Sequence, residues 1–239
     1  RDRRMRERKG GTIEREMNQE SAWRRIVRAQ EFGVFLILSA MVLFLSVYTR
    51  TFLTSTNIFN ILRAFSWIAI SGFGECMVII TGGIDLSVGS VMGFSGLIAG
   101  LLLRAGQGVA PAVIGGLAAG AVLGLLNGLM ITKAKLPPFI ATLGMLLMAR
   151  GLCYGLTGGW PVQDLPQQFR FLGQFDIPLL GAGVPLPLIF TIVVCVIAAV
   201  FLTSTIWGYR IYAVGGNEVA SGLSGINTDN IKILVYTLS

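Results

Sequence analysis

The chemistry open to this chain is bounded first by the residues it lacks. There is no His among its 239 residues, which removes the usual acid/base group at neutral pH and the commonest metal ligand. Cys76, Cys153 and Cys195 stand far apart inside apolar runs, a spacing that fits neither a disulfide framework nor a zinc or thiol-enzyme site. No Gly is followed directly by Lys, so the glycine-rich phosphate loop is missing and any nucleotide-driven work must happen on another chain. What remains is polarity set inside apolar segments: Ser71, Glu75, Ser95, Asn127, Thr142 and Arg150. Such groups bind, pair or line a path; they do not make and break bonds. No catalytic residue and no metal site is expected.

The elements that must position these groups follow from composition. The sequence is 54% hydrophobic and 13% charged, with 31 Gly and a mean hydropathy of +0.72, whereas soluble domains carry about 25% charged residues. Apolar runs recur so often that lipid must supply most of their surroundings. The fold class expected is all-α: a polytopic transmembrane helix bundle. Six spans are read at 32–49, about 57–81, 88–104, 109–131, 138–157 and 184–206, with a seventh beginning at Ile231. Asn57 is expected to cap the second, with Arg63 snorkelling at the interface; Pro137 and Pro138 suit the start of the fifth. Trp67 and Trp160 read as interface anchors.

Two domains are expected: a basic cytoplasmic tail over 1–30 and a transmembrane domain over 31–239. Residues 1–31 hold ten Lys/Arg and six acids, +4 of the total +7. From Ala22, Trp23, Ile26 and Val27 fall on one helical face beside Arg24, Arg25 and Arg28, as in a helix lying on an anionic leaflet. A nucleic-acid arm is the rival reading, disfavoured because the tail runs straight into a span. With the tail inside, fourteen Lys/Arg lie on the cytoplasmic side against Arg50, Arg63, Arg104 and Arg170 outside, and the 207–230 loop is cytoplasmic.

In the fourth span Gly116, Gly120, Gly124 and Gly128 recur every fourth residue, a seam that lets another backbone approach. Gly89, Gly93, Gly96 and Gly100 of the third span are the expected counterpart, and plain helix packing accounts for both. Glu75 is placed near the middle of the second span and Arg150 in the outer half of the fifth, so the two are expected to face one another. An uncompensated charge in the bilayer is costly, so the two are expected to form an ion pair or to line a path.

Between spans two and three stands Gly82-Gly83-Ile84-Asp85-Leu86-Ser87-Val88-Gly89-Ser90. Here Gly82 and Gly83 can break a helix and Asp85 or Ser87 can cap the next, so a tight helix connection is the simplest account. In the 208–230 loop Gly215 and Gly216 are expected to turn, Asn217 to cap a short helix over Glu218–Ser224 that includes Ala220 and Leu223, and Gly225 to take its αL end. A solvated connector remains the alternative.

The string GGIDLSVGS resembles the signature of the sugar-importing ABC permeases, the ribose, xylose and arabinose group. LPPFIATLGM from Leu136, with Ala149-Arg150-Gly151 and Leu156-Thr157-Gly158-Gly159, and IYAVGGNEVASGLSGIN over Ile211–Asn227 agree with it. The resemblance covers about residues 45–239, against roughly ten spans in such permeases, and implies a chain that ends early. It implies a bacterial inner-membrane protein, not itself an enzyme, and the charge count above puts the N-terminus in the cytoplasm. ATP and Mg would be held by a partner ATP-binding subunit, in whose groove the 215–225 segment docks as a coupling helix. The other implied partners are a second permease, identical or related, and an extracytoplasmic sugar-binding protein, with no nucleic acid. Branched-chain amino acids or nucleosides are alternative cargoes. A secondary transporter needs several intramembrane carboxylates, of which only Glu75 qualifies by sequence.

Overall fold

The computed structural model describes residues 30–179 and 182–239; the basic tail and its amphipathic helix lie outside them. Ten helices and one hairpin occur among the described residues: α1 (Gln30–Tyr48), α2 (Ser55–Ile80), α3 (Val88–Arg104), α4 (Val109–Thr132), α5 (Pro138–Thr157), α6 (Gln167–Gln174), β1 (Asp176–Leu179), β2 (Ala182–Pro185), α7 (Leu186–Ser204), α8 (Ile206–Gly216), α9 (Glu218–Leu223) and α10 (Thr228–Leu238). The chain divides into two compact units after Ile58.

In the first unit α1 leaves its apolar side chains exposed, Val47 and Tyr48 at 86% and 80%. Such a helix is stable only where lipid or another protein covers it. Asn57 sits in the first turn of α2, its Nδ2 donating to the Phe52 carbonyl at 2.8 Å, and the helix begins at Ser55. It is not the N-cap expected from the sequence.

The second unit is a helical membrane bundle. α2, α4, α5 and α7 are long and apolar enough to cross a bilayer; Phe32–Tyr48 and Val88–Arg104 are shorter apolar helices. The small antiparallel hairpin, pairing Asp176 with Pro185 and Ile177 with Val184, is an addition that the all-α expectation omits. Its Asp176 carboxylate accepts from Arg63, so the guanidinium is ion-paired.

α4 runs antiparallel to α10. A Cβ on Gly124 would strike the Tyr236 carbonyl, and one on Gly128 would fall 2.7 Å from Ile233 Cα. The seam then changes partner: Gly116 lies against the Ser95 carbonyl and Ala99, and Gly120 against the Ser95 hydroxyl. The α3 glycines do not supply the matching face, since a Cβ on Gly89, Gly93 or Gly96 would meet nothing within 4 Å, while Gly100 faces Val162. Side chains as small as Ser95 and Ala99 already permit the approach. The apolar core, with Met77, Val78, Ile131, Ile211, Ile231 and Val235, surrounds Tyr236.

Candidate functional site at the break between α2 and α3

α2 stops because Gly82 takes φ +76°, a conformation costly for any residue with a Cβ. Gly82 N–H then reaches the Ile79 carbonyl at 2.9 Å and Gly83 N–H the Val78 carbonyl at 3.0 Å, a Schellman ending that satisfies two carbonyls of the last turn. α3 starts after Ser87, which offers its own helix no side-chain cap. Instead Asp85 Oδ1 accepts from Ser87 N at 2.7 Å and Ser87 Oγ at 2.6 Å, an Asx turn that places a carboxylate at the positive end of α3.

This connection is set into the bundle. Asn127 Nδ2 donates to Ser87 Oγ at 2.8 Å, and Asn127 is six residues, about 9 Å, before Lys133 at the end of α4. Thr142, whose hydroxyl donates to Pro138 O at 2.9 Å and stands 3.4 Å from Ile84 O, is a full turn inside α5. Tyr236 lies about two turns into α10 with its hydroxyl beside the Gly83–Ile84 backbone. The 82–87 segment is therefore a helix break some two turns deep. Irregular backbone at that depth needs partners from protein, and α4, α5 and α10 each provide one.

Glu75 joins the same cluster: its Oε1 accepts from Asp85 N at 3.2 Å. It does not meet Arg150. Helix polarity is the reason, because Glu75 is five residues from the end of α2 at the 82–87 break, whereas Arg150 is twelve residues beyond the Pro138 end of α5 that meets this break. Arg150 is exposed and has no ion-pair partner among the described residues. Ser71 bonds to Trp67 O at 3.1 Å and Ser95 backs the α4 seam; neither reaches the cluster. Of the six polar positions singled out, the structure gathers Glu75, Asn127 and Thr142 around the Gly82–Gly89 motif and leaves the other three elsewhere. Tyr236 was overlooked, its only signal being a lone polar-tipped aromatic in an apolar run.

At the adjoining rim, Lys133 and Lys135 reach the Asp229 carboxylate at 2.9 and 3.6 Å, and Lys232 reaches Glu218 at 2.6 Å. Gly215 and Gly216 end α8 instead of forming a turn; the reversal falls at Asn217, φ −161°, whose Oδ1 accepts from Ala220 N at 2.9 Å to cap α9. Gly225 takes φ +86° beyond it. The α8 backbone is pressed onto α2 where Gly215 meets the Ile80 carbonyl. Val219 and Leu223 of α9 stand 74% and 87% exposed, two apolar side chains with nothing among the described residues to cover them.

Residues 57–239 match the family described as branched-chain amino acid transport system / permease component. The chain is 41% identical over 217 residues to the ribose import permease protein of Bacillus subtilis (strain 168), covering 88% of this chain and 65% of that protein. It is 39% identical over 220 residues to the ribose import permease protein of Escherichia coli (strain K12), covering 91% and 66%. A D-allose transport system permease protein of the same organism is 34% identical over 211 residues, covering 87% and 64%. The chain thus spans about 65% of the length of these curated relatives. No solved structure matches it.

Proposed function

Because the chain belongs to the family of branched-chain amino acid transport system permease components, we propose that it is a membrane-spanning part of an ATP-driven importer of monosaccharides in a bacterial inner membrane. The observation that carries this reading is α9. It is a capped helix of six residues presenting Val219 and Leu223 outward, and α10, to which Lys232 ties Glu218, packs directly on the break holding Asp85. On this reading the rim bearing Lys133, Lys135 and Lys232 faces the cytoplasm, in keeping with the charge rule, and an ATP-binding subunit covers α9. ATP and Mg belong to that subunit; a second permease and an extracytoplasmic binding protein complete the assembly. The similarity to ribose and allose permeases supports a pentose or hexose cargo. A ligand moves a two-state element only by binding its states unequally, about 5.5 kcal/mol for a swing from 1:99 to 99:1, and nucleotide-dependent closure on α9 would supply that difference.

The test is uptake of labelled ribose into vesicles holding the permease with and without the ATP-binding subunit. Uptake that requires both subunit and ATP is expected. Gradient-driven uptake without ATP would make it a secondary transporter, and ATP-dependent uptake of labelled leucine but not of labelled ribose would move the cargo to amino acids; either outcome rejects the proposal.

A further inference from the structure

We propose that Glu75, Asn127 and Tyr236 together bind one small monovalent cation, sodium or potassium, at the break between α2 and α3. The observation is a set of polar atoms that the fold buries and leaves unpartnered among the described residues: Glu75 Oε2, Asn127 Oδ1 and the Tyr236 hydroxyl. Asn127 is fully buried and Tyr236 1% exposed, while Glu75 is half-buried with its Oε2 shielded from solvent. All three side chains converge on five consecutive residues. Tyr236 lies beside Gly83 and Ile84, Glu75 holds the Asp85 amide through its other oxygen, and Asn127 holds Ser87 through its amide nitrogen. Glu75 Oε2 and Asn127 Oδ1 are thus the second ends of groups already anchored to the break, and the Tyr236 hydroxyl lies against the same backbone. An unsatisfied buried polar atom costs about 1–3 kcal/mol, and three around one segment call for a common partner.

Charge identifies that partner. Two carboxylates, Glu75 and Asp85, lie within the bundle, and the four ion pairs among the described residues involve neither. Asp85 is offset by the positive end of α3 and by the Ser87 N–H and O–H groups. Glu75 receives one backbone N–H and no positive end, which leaves a single negative charge for the site to neutralise. Carboxylate, amide and phenol oxygens are hard ligands suited to alkali cations, while one formal charge is too little for magnesium or calcium, which draw on more carboxylates or water. Breaks in membrane helices are places where such ions bind.

The experiment needs no transport. The purified chain in detergent is unfolded by heat in sodium, potassium and choline chloride at equal ionic strength, with binding of radiolabelled sodium measured in parallel. Sodium or potassium is expected to raise the midpoint saturably over choline, and the two salts show which ion fits. Glu75→Gln, which removes the charged ligand, should weaken the apparent affinity by about tenfold or more, and the exposed control Asp164→Asn should leave it unchanged. Should Glu75→Gln fail to fold, Tyr236→Phe takes its place and should weaken affinity by about threefold or more. Equal midpoints in all three salts would mean that a proton or water meets the charge and would overturn the proposal. So would a cation effect of wild-type size in Glu75→Gln or Tyr236→Phe. A chain that transports nothing can still show the site, so this result and that for the transport proposal fail independently.

Discussion

Asn127 of α4 donates to the Ser87 hydroxyl over 2.8 Å, joining residues forty positions apart in the sequence. Through Ser87, which in turn donates to Asp85, this bond fixes the start of α3 against the middle of the bundle. Polar contacts between membrane helices couple by about 0.6 kcal/mol on average and up to about 1.7, and a buried chain of them lies toward the upper end. A double-mutant cycle of Asn127→Ala and Ser87→Ala, followed by chemical unfolding in detergent, should give a coupling of about 1 kcal/mol; additivity within about 0.2 kcal/mol would show that the bond does not form.

Glycines on two neighbouring helices should respond oppositely to an added methyl. Gly124→Ala drives a Cβ into the Tyr236 carbonyl, where backbone cannot yield cheaply, and overpacking of this kind costs about 1–3 kcal/mol. Gly93→Ala meets nothing within 4 Å and gains helix propensity of up to about 1 kcal/mol. Thermal unfolding of the two variants compares them directly, and an equal loss from both would contradict the antiparallel register of α4 and α10.

Asp229 provides a pH-dependent clamp between the α4–α5 connection and α10. Its hydrogen bond from Lys133, joined by the charges of Lys133 and Lys135, holds the carboxyl below its ordinary value of 3.8. A depressed folded value means that the clamp contributes fully above 3.8 and is lost as pH falls through the lower folded value. Asp229→Asn should therefore be less stable than wild type near pH 6, with the gap shrinking in high salt and closing below the folded value. A gap that widens on acidification would show the opposite sign.

On α9, stability and coupling should separate. Asn217→Ala removes the cap on Ala220 N and should cost about 1 kcal/mol, read as a lower unfolding temperature. Leu223→Ser exposes no core, since Leu223 is 87% exposed. It should unfold like wild type yet cut ATP-dependent uptake by about tenfold, the effect expected when an apolar anchor leaves a docked surface. Undiminished uptake by Leu223→Ser would mean that α9 is not the surface through which the transporter is driven.

Much of this molecule was legible one residue at a time. Apolar run lengths located the membrane helices, and the spacing Asn217 to Gly225 marked a capped helix with its αL ending, because each depends on neighbours within a few positions. Gly82 was equally readable as a helix stop. The partner of each polar side chain was not. The sequence makes Glu75 and Arg150 look like companions because each is a lone charge inside an apolar span. Only the packed helices show that the break is sunk about two turns into the bundle, where Glu75 meets the Asp85 amide, Asn127 meets Ser87, and Tyr236 covers Gly83. A hydrogen bond forms within about 3 Å, and which distant segments come that close is settled by how α4 and α10 nest at Gly124 and Gly128, a relation that no local pattern in the chain encodes.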